Sequence, residues 1–199
     1  MIDSLARNQN WAKAAPILGI LSTVALFAAL KVSDPLFWGL VNIPLYLFHQ
    51  TEEHLWPGGF KSYINRKVNK DVEGAETLTD NKIFWINIIL VWLAFSIFGA
   101  LAFVHQGFGL LIIIFSIVNC LTHIVEAVKS RRWNPGLVMA SVQFLVSLFA
   151  AWFVTSHGLV SPVTWWGGSI LFSAIVHVLL FRFVISEKGK PGKGKKVSL

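Results

Sequence analysis

The chain has 199 residues, 55% hydrophobic and 14% charged, with a formal net charge of +7 and a mean hydropathy of +0.63. So apolar a composition excludes an ordinary soluble domain and makes lipid the solvent. The basic residues gather between the apolar runs, as topology control and anionic lipid head groups require, and this distribution excludes nucleic acid as the partner.

Met1 to Lys13 is polar and carries no signal-peptide pattern. The first apolar run covers residues 16–30 and is short, so a tilted or partly inserted helix is expected there. The second covers residues 35–56 and is interrupted by Pro44. The third covers 83–104, the fourth 108–128, the fifth 136–154 and the sixth 163–184. Most approach the roughly 20 residues a spanning helix needs. Continuous apolar runs rule out the alternating pattern of barrel strands. The expected fold is therefore an all-α membrane protein. It is a bundle of about six transmembrane helices in one domain over residues 1–186, followed by a basic, disordered tail at 187–199 drawn to anionic lipids. The single Cys120 excludes an intramolecular disulfide and reads as a small packing residue.

Every second connection is basic. Arg7 and Lys13 precede the first run, and Lys61, Arg66, Lys67, Lys70 and Lys82 separate the second from the third. Lys129, Arg131 and Arg132 follow the fourth, and Arg182 with the tail lysines closes the chain. The other connections hold only Lys31, balanced by Asp34. Both termini are thus expected in the cytoplasm, which for a bacterial protein means the inner membrane. Pro57-Gly58-Gly59 stops the second run, and Phe60, Ile64 and Val68 then recur at helical spacing. A short surface helix is expected there, read as a solvated basic connection, with a lid as the alternative.

Of ten acidic residues, only Glu52, Glu53 and Glu126 fall within apolar runs, and no Lys or Arg lies deep enough to pair with them. Ionised carboxylates in hydrocarbon cost a few kcal/mol each or more, so a proton, a protonated His or a metal ion must compensate. His49, Glu52 and Glu53 share one helix face, continued by Asn42 and Tyr46. Ser116, Asn119, His123 and Glu126 form a polar line on the fourth run, and Ser169, Ser173 and His177 one on the sixth. Asn87 and Gln143 add polar groups on the third and fifth. The even-numbered runs all travel outside to inside, which brings three His and three Glu to one level near the cytoplasmic face. His105 and His157, by contrast, read as helix–helix hydrogen-bonding residues. His54 sits about 100° from Glu53 at the helix end, as a supporting or interfacial group.

Imidazole with carboxylate suits zinc, iron or manganese, and HxxE places two ligands on one helix face. The metal-ligand candidates are His49, Glu53, His123, Glu126 and His177, holding one or two divalent ions, zinc or iron. The catalytic candidates are Glu52, Glu53 and Asn119. Glu52 is the spare carboxylate that takes a proton, and Asn119 orients a ligand or stabilises an oxyanion. A modest helix rotation exchanges the roles of Glu52 and Glu53, and both assignments stay open.

His49-Gln50-Thr51-Glu52-Glu53 resembles the motif of the integral-membrane HxxEE family, Asn119-Cys-Leu-Thr-His123 its NxxxH element, and His177 its late histidine. The resemblance spans about residues 35–181 and implies an enzyme whose reaction is not established. A more distant likeness is to membrane-embedded glutamate peptidases, but their EExxxR pattern meets Pro57 here. The expected function is a metal-dependent hydrolase acting on a lipid-like, membrane-partitioned substrate at the cytoplasmic leaflet. The alternatives are a di-iron oxidoreductase on acyl or isoprenoid chains, a glutamate-type peptidase, and a proton or metal transporter.

Overall fold

A computed structural model describes residues 2–72 and 76–185, all helical or loop, with no strand among them. The basic tail at 187–199 lies outside the described residues. Among the described residues, five helical stretches are long and apolar enough to cross a membrane: Ser4–Ala29, Asp80–Ala102, Gly107–Ser130, Leu137–His157 and Pro162–Val184. Their outward faces are apolar, as lipid requires: Leu145, Leu171 and Val163 are exposed by 67%, 62% and 86%.

The first stretch runs longer than the apolar pattern indicates. Helix α1 (Ile2–Ala6) leads through a 3₁₀ run, Arg7–Ala14, into α2 (Ala15–Ala29). Asn8 and Gln9 take left-handed backbone angles, φ 51° and 54°, and kink the entry. Ala6, Trp11 and Ala12 then pack with Leu78, Ile83 and Phe84 as a small core.

The second apolar run divides into α3 (Pro35–Leu40) and α4 (Asn42–His54). Pro44 has no N–H for the Leu40 carbonyl and its ring crowds that group, so the break falls one turn earlier, at Val41. Neither piece alone has the length of a span. Asp34 caps α3 by accepting from the Leu36 N–H at 2.8 Å.

After α4 the chain forms α5 (Phe60–Tyr63), continued by a π turn over Ile64–Val68. This is the short helix expected from the spacing of Phe60, Ile64 and Val68. Asn65 fixes it by giving and taking bonds with Leu78, 2.9 and 2.8 Å. The third run folds as α6 (Asp80–Asn87), a π segment over Ile88–Leu93, and α7 (Ala94–Ala102). Then come α8 (Gly107–Ser130), α9 (Leu137–His157) and α10 (Pro162–Val184).

Helix α8 is the centre of the bundle, packed against α3, α4, α7, α9 and α10. At its crossing with α3, a Cβ on Gly109 would stand 2.8 Å from the Gly39 Cα, so only glycine permits that approach. Two buried polar networks fix α4 against its neighbours. Gln50 gives to Asn87 Oδ1 and takes from Trp92 Nε1, both at 2.8 Å. Asn42 Oδ1 accepts from Gln143 at 3.0 Å and from Ser147 at 2.8 Å. These account for three of the polar residues singled out in the apolar runs.

Candidate metal centre

The C-terminal ends of α4 and α8 meet the start of α9, and His49, Glu53 and His123 meet there. One donor atom from each lies within 4.8 Å of the others, and all three residues are buried. Glu53 Oε1 is 3.6 Å from His49 Nε2 and 3.2 Å from His123 Nε2. The imidazole of His54 contributes a further contact, Nε2 to Glu53 Oε2 at 3.5 Å.

Hydrogen-bond chemistry fixes which way His123 faces. Asn134 Nδ2 donates to the His123 carbonyl at 2.9 Å, so its Oδ1 is the atom 3.0 Å from His123 Nδ1. That oxygen only accepts, and Nδ1 therefore carries the proton. In the neutral ring Nε2 then presents a lone pair to a carboxylate oxygen 3.2 Å away. Two acceptors so placed need a cation between them, a proton or a metal ion. His49 is fully buried, and neither of its nitrogens has a hydrogen-bond partner among the described residues. Two imidazoles and one carboxylate are a donor set that fits a divalent ion, with Asn134 orienting one ligand from behind.

Gly136 makes room for this meeting. Its φ is 94°, and a Cβ there would lie 2.8 Å from Glu53 Cγ and 3.0 Å from His123 Cε1. Asn134 lies in a connection, Gly136 is the first residue of the fifth apolar run, and Gln9, whose Oε1 contacts His54 Nδ1, precedes the first run; no polar line within a run marks any of them. The Asn134-Pro135-Gly136 turn just after the His123 helix is the signal that points to the first two.

Other expected members stand elsewhere. Glu52 is not spare: its oxygens accept from Val138 N at 3.1 Å and Met139 N at 2.6 Å, free N–H groups of the first turn of α9. The Glu52 carboxylate, expected as a general base, is held by these bonds at the start of α9. Glu126 lies outside the group and accepts from the Tyr63 hydroxyl at 2.9 Å. His177 also lies outside it; its Nδ1 is 2.8 Å from the Ser173 carbonyl. His105 and His157 hold local bonds, to Gly107 N and Phe153 O.

Helix α5 covers the centre, so the basic connection is more than a solvated link. The Phe60 ring lies 5.6 Å from His54 and 6.2 Å from His123. Burial and the bond to Glu126 push the Tyr63 phenol above its ordinary pKa. Lys61 bridges Glu76 at 2.8 Å and Asp80 at 3.1 Å. Partial burial pulls the Lys61 pKa down, but these two carboxylates outweigh it and hold it above the usual lysine value.

Beside the centre a cavity of about 540 Å³ runs between α4, α5, α6, α8 and α10, and Glu53, His123, Asn119, Glu126 and His177 all line it. The rest of its wall is mostly apolar, including Val91, Phe115, Val118, Leu180 and Val184. Leu121, Val125 and Phe181 line it while exposed by 39 to 45%, so it opens between helices rather than being sealed.

A family model described as a protein of unknown function with HXXEE motif matches residues 40–153, more than half of the chain. The match contains His49, Glu52, Glu53, Asn119, His123, Asn134 and Gly136, and ends before His177. No curated protein and no solved structure matches the chain.

Proposed function

The chain belongs to the HXXEE-motif family of unknown function, and from that premise we propose that it is a membrane metalloenzyme, a hydrolase of lipid-like substrates. The reading rests on one observation: a buried carboxylate faces the Nε2 atoms of two imidazoles, one of them a lone-pair donor, with no Lys or Arg paired to it among the described residues. His49, Glu53 and His123 would hold one divalent ion, zinc or iron. Bound there, such an ion supplies Lewis acidity and a lowered pKa for water.

The chain's own residues supply the rest. Glu53 neutralises charge, Asn134 fixes His123, and α5 with Phe60 keeps bulk water from the centre. Asn119, on the cavity wall, is placed to donate to an oxygen that gains charge in the substrate. The apolar remainder of the cavity suits a substrate already dissolved in the bilayer. In this proposal the α3–α4 pair completes six crossings. The basic connections put both termini and the centre on the cytoplasmic side, at the inner membrane in a bacterium.

The same donor set serves mononuclear non-haem iron, which keeps an oxidoreductase as the second reading. A di-iron centre has less support, because Glu52 and Glu126 are engaged elsewhere. Elemental analysis of the detergent-purified protein decides. About one equivalent of zinc or iron, lost in His123→Ala, is expected. A stripped protein that hydrolyses ester-linked lipid analogues at the full rate would end the proposal.

A further inference from the structure

We propose that His177 seats a hydroxyl-bearing, long-chain molecule in the cavity, accepting a hydrogen bond from its O–H. This names a substrate class for the centre above and rests on that reading.

Ser173 O can only accept, so the Nδ1 that lies 2.8 Å from it carries the hydrogen. In the neutral ring Nε2 is then a bare acceptor. It is buried and has no partner among the described residues, and His177 as a whole is 5% exposed. An acceptor left in this state is unfavourable unless something in the cavity completes it.

What surrounds it selects the partner. His177 lines the same cavity as Glu53 and His123 but does not belong to the group whose donor atoms cluster within 4.8 Å. Its ring packs on Phe115 at 4.8 Å between centroids, and Leu180, Phe181 and Val184 continue the wall. Next to His177 the wall is apolar, and its lone acceptor there matches the hydroxyl of an alkyl or isoprenoid chain, while the carboxylates of Glu53 and Glu126 line other parts of the same cavity. An ammonium head also donates, but burying it among these side chains beside a divalent ion is costly. A hydroxyl avoids that cost.

The test compares dodecanol with dodecyl methyl ether, each fluorinated at the far end of the chain. Binding to the full-length protein in detergent is followed by fluorine NMR, with metal content measured in every sample. The wild type is expected to prefer the alcohol by about fivefold, the worth of one neutral hydrogen bond. His177→Leu should lose that preference and keep its metal. His177→Gln, whose carbonyl also accepts, should restore most of it. Equal binding of alcohol and ether by the wild type overturns the proposal, leaving a cavity water as the partner of Nε2. Loss of metal from folded His177→Leu also overturns it, making His177 a ligand. His49→Ala separates the two readings. An alcohol preference that persists there without metal supports the role of His177. The same preference in a wild type that never binds metal would sink the metalloenzyme reading alone.

Discussion

Glu52 and Glu53 are consecutive residues that serve different helices: Glu52 caps the start of α9, and Glu53 meets His123 of α8. One residue along a helix is about 100° of rotation, enough to send two neighbouring carboxylates to two partners. Glu52→Gln should therefore keep the metal while losing about 1 kcal/mol of stability, the ordinary worth of a charged cap. Glu53→Gln should lose the metal. Melting temperature and elemental analysis on both variants check this. A folded Glu52→Gln without metal would return Glu52 to the centre.

Asn134 bonds to the His49–Glu53–His123 group through His123. Asn134→Ala frees the ring to turn, and metal affinity should fall roughly 10- to 100-fold. Competition against a chelator of known affinity measures it. Unchanged affinity would mean that the His123 ring is held by packing alone.

At Gly136 both conformation and space are demanding. A left-handed backbone costs an L-residue about 1–2 kcal/mol, and the new methyl meets Glu53 Cγ at 2.8 Å. Gly136→Ala should lower the melting temperature and weaken metal binding together. A variant that lost stability yet bound metal as tightly as the wild type would show that Glu53 can give way freely.

The bond from Tyr63 to Glu126 ties α5 to α8. Because the Tyr63 pKa is raised in the fold, the fold holds its proton more tightly than the open chain does. The resulting stability is fully present below the ordinary phenol value, about 10, and is lost as pH rises through the higher folded value. Glu126→Gln should bring the titration down toward the ordinary range. The chain has only two tyrosines, so tyrosinate absorbance of the wild type minus that of Tyr63→Phe isolates the transition. An identical midpoint in Glu126→Gln would remove the carboxylate as its cause.

Run length and hydropathy made the long helices legible, because lipid tolerates little else over 20 apolar residues. The pairing of His49-xxx-Glu53 with His123 was legible too, since buried carboxylates need counter-charge and few groups supply it. Two kinds of information were not. The direction a side chain takes around a helix axis, which separates Glu52 from Glu53, depends on neighbours distant in sequence. Turn residues and ring approaches leave no mark in run length or hydropathy, and so Asn134, Gly136 and the approach of Phe60 to His123 emerge only when the loops are folded back on the bundle. Pro44 marked a break in the second run, but the break falls at Val41 because the proline acts on the turn before it.

The bond between Glu52 and the Met139 N–H joins positions 87 residues apart. A chain made from its N-terminus presents α4 to the bilayer well before α9 exists. Until then Glu52 lacks its partners on α9, and Glu53 has only His49 and His54 of its own helix beside it. The carboxylate end of α4 is therefore complete only once α8 and α9 have been made. Closing the centre is, on this account, a late step in the birth of the protein.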